Sequence, residues 1–442
     1  MIDQTVYIYY ITYAVVFAVV GIFYLKLKSM EPLTITTKEF KDFQAIFMNG
    51  YTVMILGELV SIGSFYQTMI LLDLSLLQVT KLYVITVVTT TVFGVLSDIV
   101  DFGSRRNKCV VSALLFTLSM GCILLSNGHF DLLMLSRVTY GIASSLLHSA
   151  FDAYLVQEHS SLGFPEDWLN QTFSSLTHSM ALVSCLSGVF GQIAARSGGI
   201  YGPTALSCGL FALMTLYIAF TWRKDTNGPK FLLSSFLTSW GQALRASRTN
   251  RQITTLLLIS SCSEATITIF TFYWAPWLTS VIVESTDVTT FPFPLIFSTY
   301  IACSMVGAYL YQLLIGRMGN ESILQLVLLG TSVCYFLGAV FQTSTLVFVI
   351  SLCTQFLVGA YWPSVGYARG RAISPELRSS TLCMNRLLTL VIVVPMLSSI
   401  HHNPMIMLFS CSGITAFAAY LQLSNPQTDA SPFGPDDDSD HD

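Results

Sequence analysis

Long apolar runs, separated by short polar turns, constrain this chain more than any motif in it. They fall at about residues 5–25, 44–72, 79–99, 109–127, 131–157, 170–195 and 203–222. They resume after a polar stretch at 253–280, 293–316, 322–342, 345–368, 378–400 and 404–423. A run of roughly 20 apolar residues spans the hydrocarbon core of a bilayer as a helix. Lipid offers backbone N–H and C=O groups no partner, so each run must satisfy its own hydrogen bonds and be helical. Thirteen such runs predict an all-α, multi-pass membrane protein. Composition agrees, because only 10% of the residues are charged and 53% are hydrophobic, whereas a soluble chain carries about a quarter charged residues. The first run is long for a signal-peptide core and lacks a basic flank and an A-x-A site, so a retained helix is expected there.

The bases order these spans in the membrane. Seventeen of the 21 Lys and Arg residues lie in loops that thirteen alternating crossings place on one side. They include Lys38 and Lys41, Arg105, Arg106 and Lys108, the central group from Arg223 to Arg251, and Arg369, Arg371 and Arg378. Lys81 and Arg196 fall opposite, and Arg137 and Arg386 lie inside spans. The positive-inside rule makes the basic side cytoplasmic, with the N-terminus outside and the C-terminus inside. The plasma membrane is the expected location. The tail after Asn425 carries six of the acids and no Lys or Arg, and reads as solvated and disordered. The sequons at Asn170 and Asn320 fall on the cytoplasmic side and should stay unmodified.

The polar stretch divides the chain. The expected units are an extra N-terminal helix at 1–30, a six-helix bundle at 40–223 and a cytoplasmic central loop at 224–251. A second six-helix bundle at 252–424 and a tail at 425–442 complete the chain. The halves echo each other. Phe164-Pro165-Glu166 and Ser374-Pro375-Glu376 each open a helix, with proline near its first position and an acid in its first turn. Glu58 and Glu264 stand at matching depths, each followed by an aromatic pair, Phe65-Tyr66 and Phe272-Tyr273. Such internal repetition is a transporter layout.

Ionisable residues within spans cost roughly 2.5–3.5 kcal/mol each on insertion scales and mark function by default. Here they are Glu58, Arg137, Asp152, Glu264 and Arg386. The acids must line a cavity, pair with bases or hold protons. Arg386, near mid-span, has the planar fork of N–H donors suited to a tetrahedral oxyanion. Ser61, Tyr66, His178 and Tyr273 could complete a cage, though ordinary packing also accounts for them. His148 and Asp152 lack an acyltransferase spacing, and His401-His402 lacks a further ligand; both pairs read as structural. The ten cysteines are scattered and form no C-x-x-C, so they read as small buried hydrophobes. Pro276, Pro363 and Pro395 interrupt apolar runs and should kink their helices. No G-x-x-x-x-G-K-[ST], H-E-x-x-H or G-x-S-x-G occurs, so neither nucleotide-driven transport nor these hydrolase chemistries find support.

Two signatures carry a resemblance. Gly94-Val-Leu-Ser-Asp98-Ile-Val-Asp101-Phe-Gly-Ser104-Arg105-Arg106 resembles, in split form, the G-x-x-x-D-x-x-G-R-R loop of the major facilitator superfamily, with Ser104 where glycine is expected. Arg137-Val-Thr-Tyr140-Gly141 resembles that superfamily's R-x-x-x-G signature. Phe151-Asp152-Ala153-Tyr154, Glu158-His159, Phe164-Pro165-Glu166-Asp167-Trp168, Trp274-Ala-Pro276 and Tyr361-Trp-Pro363-Ser364 resemble the branch described as molybdate-anion transporters. The resemblance implies a 6+6 fold of two pseudo-symmetric bundles plus the extra helix, and secondary transport of a small inorganic, molybdate-like anion. Another solute (a sugar or organic anion) or a transporter-like receptor is the alternative. The resemblance assigns coupling or gating to Arg137, Gly141, Asp98, Asp101, Arg105 and Arg106. Substrate contact is expected at Arg386, Glu58, Glu264 and Asp152, with protons as coupling partners and lipid as the setting. An enzyme activity, a cofactor, a metal site and a nucleic-acid partner are not expected, and a monomer is.

Overall fold

The computed structural model describes residues 2–30, 36–96, 104–224, 233–281, 291–399 and 403–424. These residues are almost wholly helical: α1 (Ile2–Met30), α2 (Lys38–Leu71), α3 (Leu76–Leu96), α4 (Arg105–Ser126), α5 (Phe130–Ser161), α6 (Glu166–Gly198), α7 (Gly202–Thr221), α8 (Leu233–Thr249), α9 (Arg251–Val281), α10 (Phe293–Met318), α11 (Asn320–Val340), α12 (Ser344–Ala372), α13 (Pro375–Ser399) and α14 (Pro404–Ser424). Each apolar run became one long helix, because only a helix satisfies backbone polar groups in lipid. The exception to the sequence reading is α8, a short helix within the central polar stretch, which packs on α9 and α13. Pro276, Pro363 and Pro395 lie inside α9, α12 and α13, which remain continuous.

Among the described residues, eleven continuous segments are long and apolar enough to cross a membrane, one of them being α6 and α7 together. Helix α5 is outside that set. It carries Asp131, Arg137, His148 and Asp152, and about half its residues are buried within the protein. Its polarity is tolerable because protein rather than lipid surrounds it.

The helices form two six-helix bundles. In the first, α4 packs on α5 and α7, α3 on α5, and α2 on α6 and α7; in the second, α11 packs on α12 and α14, α10 on α12, and α9 on α12, α13 and α14. Small residues bring backbones close: a Cβ on Gly307 would lie 1.9 Å from the Phe356 carbonyl oxygen, and one on Gly359 would lie 1.8 Å from that of Ser304. The bundles meet along two seams, α6 with α10 and α3 with α13, and α2 also touches α10. At the first seam Ser298 Oγ donates to the carbonyl oxygens of Ser184 (2.5 Å) and Cys185 (3.1 Å).

The extra helix α1 lies across that same seam, on α10 and α6. Tyr13 OH donates to the Cys185 carbonyl (2.8 Å) and Arg196 Nη2 to Tyr10 OH (2.8 Å), both on α6. Phe23 stacks on Tyr309 of α10 at 5.9 Å. Its remaining face, with Tyr7, Ile11, Val15, Ile22 and Leu25, is exposed and apolar, as a lipid-facing surface should be.

We call the side from which α2, α9 and α13 start the basic face. The two bundles are sealed at the opposite face. Tyr66 OH and Thr279 Oγ1 are 3.3 Å apart, Gly63 is packed by Phe297 and Gly191 by Pro294, and Tyr83 OH donates to the Thr268 carbonyl at 3.0 Å. Toward the basic face His148, Asp152 and Arg386 are exposed.

Candidate functional site

The exposed polar side chains converge where α2, α3, α5 and α13 face one another. On α5, Ser144, His148 and Asp152 recur every four residues and so share one stripe. Ser144 Oγ donates to Glu58 Oε1 at 2.9 Å, and His148 Nε2 stands 3.5 Å from the same oxygen. Glu58 is only 5% exposed, while the His148 side chain is 51% exposed. A half-exposed imidazole touching a buried carboxylate is what the wall of a water-accessible cleft requires. Asp152 and Arg386 lie within electrostatic reach of His148.

Arg386 enters from the other bundle. Side chains on a helix tilt toward its N-terminus, and α13 starts at the basic face, so the guanidinium reaches down toward that face. It arrives at the end of α3, where a Cβ on Gly94 would lie 2.8 Å from Arg386 Nη1 and 3.3 Å from Ser145 Oγ. Gly94 is thus the notch that admits the guanidinium. Among the described residues Arg386 makes no hydrogen bond or ion pair, and Ser145 Oγ, though buried, has no partner. The Arg386 N–H donors are thus exposed without an acceptor among the described residues, and the Ser145 hydroxyl lies buried beside Gly94.

Glu264 is in a different situation from Glu58. Arg369 Nη2 lies 2.5 Å from Glu264 Oε1, Asn385 Nδ2 donates to Oε2 at 2.7 Å, and Ser261 Oγ donates to Asn385 Oδ1 at 2.8 Å. The matching acids of the two halves are therefore held differently, one by a hydroxyl and an imidazole, the other by a guanidinium and an amide. Neither faces lipid. The span boundary at 368 had put Arg369 in a loop, but α12 continues to Ala372 and carries it inward. Asn385, Ser144 and Ser145 carry no signal of their own in the sequence, and His148, paired there with Asp152, read as structural; the structure instead sets it against Glu58. The available signal was the four-residue repeat Ser144–His148–Asp152, of which the sequence reading took up only the last two members.

Arg137 sits apart from these groups. It is 5% exposed, lies over the rings of Phe65 (4.8 Å) and Tyr140 (4.9 Å), and bonds to Ser136 Oγ at 3.1 Å. Aromatic faces can hold a cation without a carboxylate. One turn on, Gly141 gives α3 its closest approach to α5: a Cβ there would lie 1.9 Å from Thr89 Oγ1 and 2.9 Å from the Thr86 carbonyl oxygen. Overpacking typically costs about 1–3 kcal/mol. Gly141→Ala is expected to lower the thermal unfolding midpoint of the detergent-purified protein by several degrees, and an unchanged midpoint would show that α3 yields freely.

Arg105 and Arg106 stitch the helix ends at the basic face. Arg105 Nη1 donates to Gln157 Oε1 (2.6 Å) on α5, and Arg106 Nη1 to the Ala219 and Trp222 carbonyls (3.4 Å each) at the end of α7, where cations are favourable. Ser104, the departure from the motif, is the N-cap of α4, accepting from Asn107 N at 3.1 Å. Asp98 and Asp101 lie outside the described residues, as do His401 and His402. Asn320, the second sequon residue, is buried and accepts from Tyr311 OH and Ser364 Oγ at 2.9 Å each.

Known proteins match this architecture. Residues 8–357 fit the model of a major facilitator family described as sugar transporters with 12 TM segments. A molybdate-anion transporter of Xenopus tropicalis is 29% identical over 282 residues, covering 62% of this chain and 59% of that protein. The chain's match thus spans about three fifths of that relative's length. A molybdate-anion transporter of Danio rerio is 24% identical over 400 residues, covering 82% of this chain and 80% of that protein. Among solved structures, the nucleoside transporter NupG superposes with a TM-score of 0.67 at 12% identity, covering 86% of this chain and 98% of the other. The D-xylose–proton symporter superposes with a TM-score of 0.65 at 14% identity, covering 86% of this chain and 97% of that one. With the family model matching most of this chain and the fold shared, the chain is a multi-pass membrane protein that belongs to this transporter family of the major facilitator superfamily.

Proposed function

We propose that the protein carries a small doubly charged oxyanion, molybdate foremost, across the plasma membrane by alternating access, with proton uptake coupled to anion binding. The observation that supports this most is the Arg386 guanidinium, exposed in the cleft with no acceptor among the described residues. An oxyanion can take its paired N–H groups bidentately. In this reading Glu58, Asp152 and His148 are the proton-responsive groups, Glu264 is held by Arg369, and Arg137 and Gly141 act through helix packing. The basic face is cytoplasmic, the N-terminus outside, and the working unit a monomer. The names of the curated relatives favour an inorganic anion; the description of the matched family favours a sugar. A neutral polyol can accept hydrogen bonds from the guanidinium but leaves its charge uncompensated, whereas an oxyanion meets both, which is the reason to prefer the anion.

The sign of the pH dependence follows from charge. With Glu58 and Asp152 ionised and His148 neutral, an incoming dianion meets one positive and two negative groups. Protonating His148 or a carboxyl removes repulsion that low dielectric strengthens, so anion and proton favour each other reciprocally. Uptake into cells lacking their own transporter should rise as the pH falls and should be competed by other tetrahedral oxyanions, but not by hexoses. Gly94→Ala should fold normally, because the atom it displaces is the far end of a flexible side chain. It should raise the apparent KM about tenfold, the equivalent of 1.4 kcal/mol. Hexose uptake without anion uptake would overturn the reading.

A further inference from the structure

A second cavity lies away from the cleft, inside the first bundle at the basic face. Its volume is about 400 Å3, and it is lined by the start of α2, the end of α5 and the end of α7. Helix α2 has 34 residues and is therefore about 51 Å long, so it overshoots the hydrocarbon core. Its first turns, and the mouth of the cavity, stand at the level of lipid headgroups.

Three acids line this cavity, Glu39, Asp42 and Glu158. The first two are exposed at the mouth. Glu158 is only 6% exposed, and among the described residues its carboxylate has neither a hydrogen-bond donor nor a base. One turn before it, Tyr154 stacks on Trp222 at 4.5 Å, and Trp222 packs on Phe47 at 5.2 Å. Tyr154 OH accepts from the Arg223 backbone N–H at 3.1 Å, which fixes this aromatic wall. The Arg223 side chain also lines the cavity but is exposed and pairs with none of the acids among the described residues.

The oxygens of Glu158 open into the cavity, and with no donor or base beside them among the described residues they present a negative charge that an entering cation can meet. The walls decide which cation. Small hard ions need several oxygen ligands in a shell, whereas here carboxylates alternate with aromatic side chains in the lining, surroundings that suit a substituted ammonium group better. We propose that this cavity binds an organic ammonium ion, either a soluble amine or the headgroup of a membrane lipid, with Glu158 as counter-ion and Trp222, Tyr154 and Phe47 as its aromatic wall.

The test uses the full chain in nanodiscs and reads the tryptophan fluorescence that disappears in Trp222→Phe, with choline chloride as the titrant and potassium chloride as the control. The expected result is a saturable change with choline that potassium does not reproduce. Glu158→Gln should weaken it about tenfold or more while keeping the unfolding midpoint of the parent. If Glu158→Gln does not fold, the rim pair Glu39→Gln with Asp42→Asn, both exposed, should still weaken it several-fold. Competition by phosphatidylcholine discs relative to phosphatidylglycerol discs would name a headgroup as the source, and equal affinity in both would name a soluble amine. Absence of saturation, equal displacement by potassium, or unchanged affinity in both sets of variants would overturn the proposal.

Discussion

Replacing Arg386 by alanine is expected to reduce anion uptake at least about a hundredfold, the equivalent of some 2.7 kcal/mol of lost binding. Lysine should restore only a small part of it. The guanidinium makes no bond to the described residues, so its removal takes away a ligand contact rather than a structural one. Charge-assisted hydrogen bonds are the strong ones, and the parallel pair offered by arginine is lost with lysine even though the charge remains. The measurement is the initial uptake rate normalised to protein at the cell surface, together with a thermal unfolding curve. The unfolding midpoint should move little. Parent-like uptake by Arg386→Ala would remove the anion site from this part of the cleft.

The largest effect on stability is expected at the second acid. Arg369→Ala leaves Glu264 with Asn385 alone, and breaking a buried ion pair by deleting one partner costs about 3–5 kcal/mol. With side-chain exposures of 15% for Arg369 and 14% for Glu264, the lower end of that range applies. Glu264→Gln with Arg369→Ala should recover most of the loss, since the uncompensated charge is gone and the amide can still bond to Asn385. Thermal unfolding of the two variants in the same detergent checks this. If the single variant were as stable as the parent, or the double variant worse than the single, the pair would not be holding α9 to α12.

The fold was legible because lipid leaves the chain so few options. Apolar runs at spanning length become helices, and the loop bases sort them into an alternating order. Legibility stopped where a residue's partner sits on another helix. Glu58 and Glu264 look equivalent in sequence, yet one meets Ser144 and His148 and the other Arg369 and Asn385. No spacing along the chain encodes that difference. Gly94 reads as a motif glycine, and only the packing of α3 against α13 shows that it makes room for Arg386. Helix α8 escaped notice because it is short and its sequence mixes polar with apolar residues. Ser104 looked like a lapse from a motif and is the cap of α4.

The placement of α1 makes the two lateral doors of the molecule unequal. It lies over α6 and α10, whereas the seam of α3 with α13 has no such cover among the described residues. That bare seam includes an apolar groove of about 280 Å3, lined by Leu77, Val84, Ile85, Phe130, Met134 and Leu397. A compound dissolved in the bilayer therefore meets α1 at the first seam and an apolar groove at the second. An oily inhibitor of this protein should be sought along α3 and α13, and a helix-mimicking one along the α1 berth.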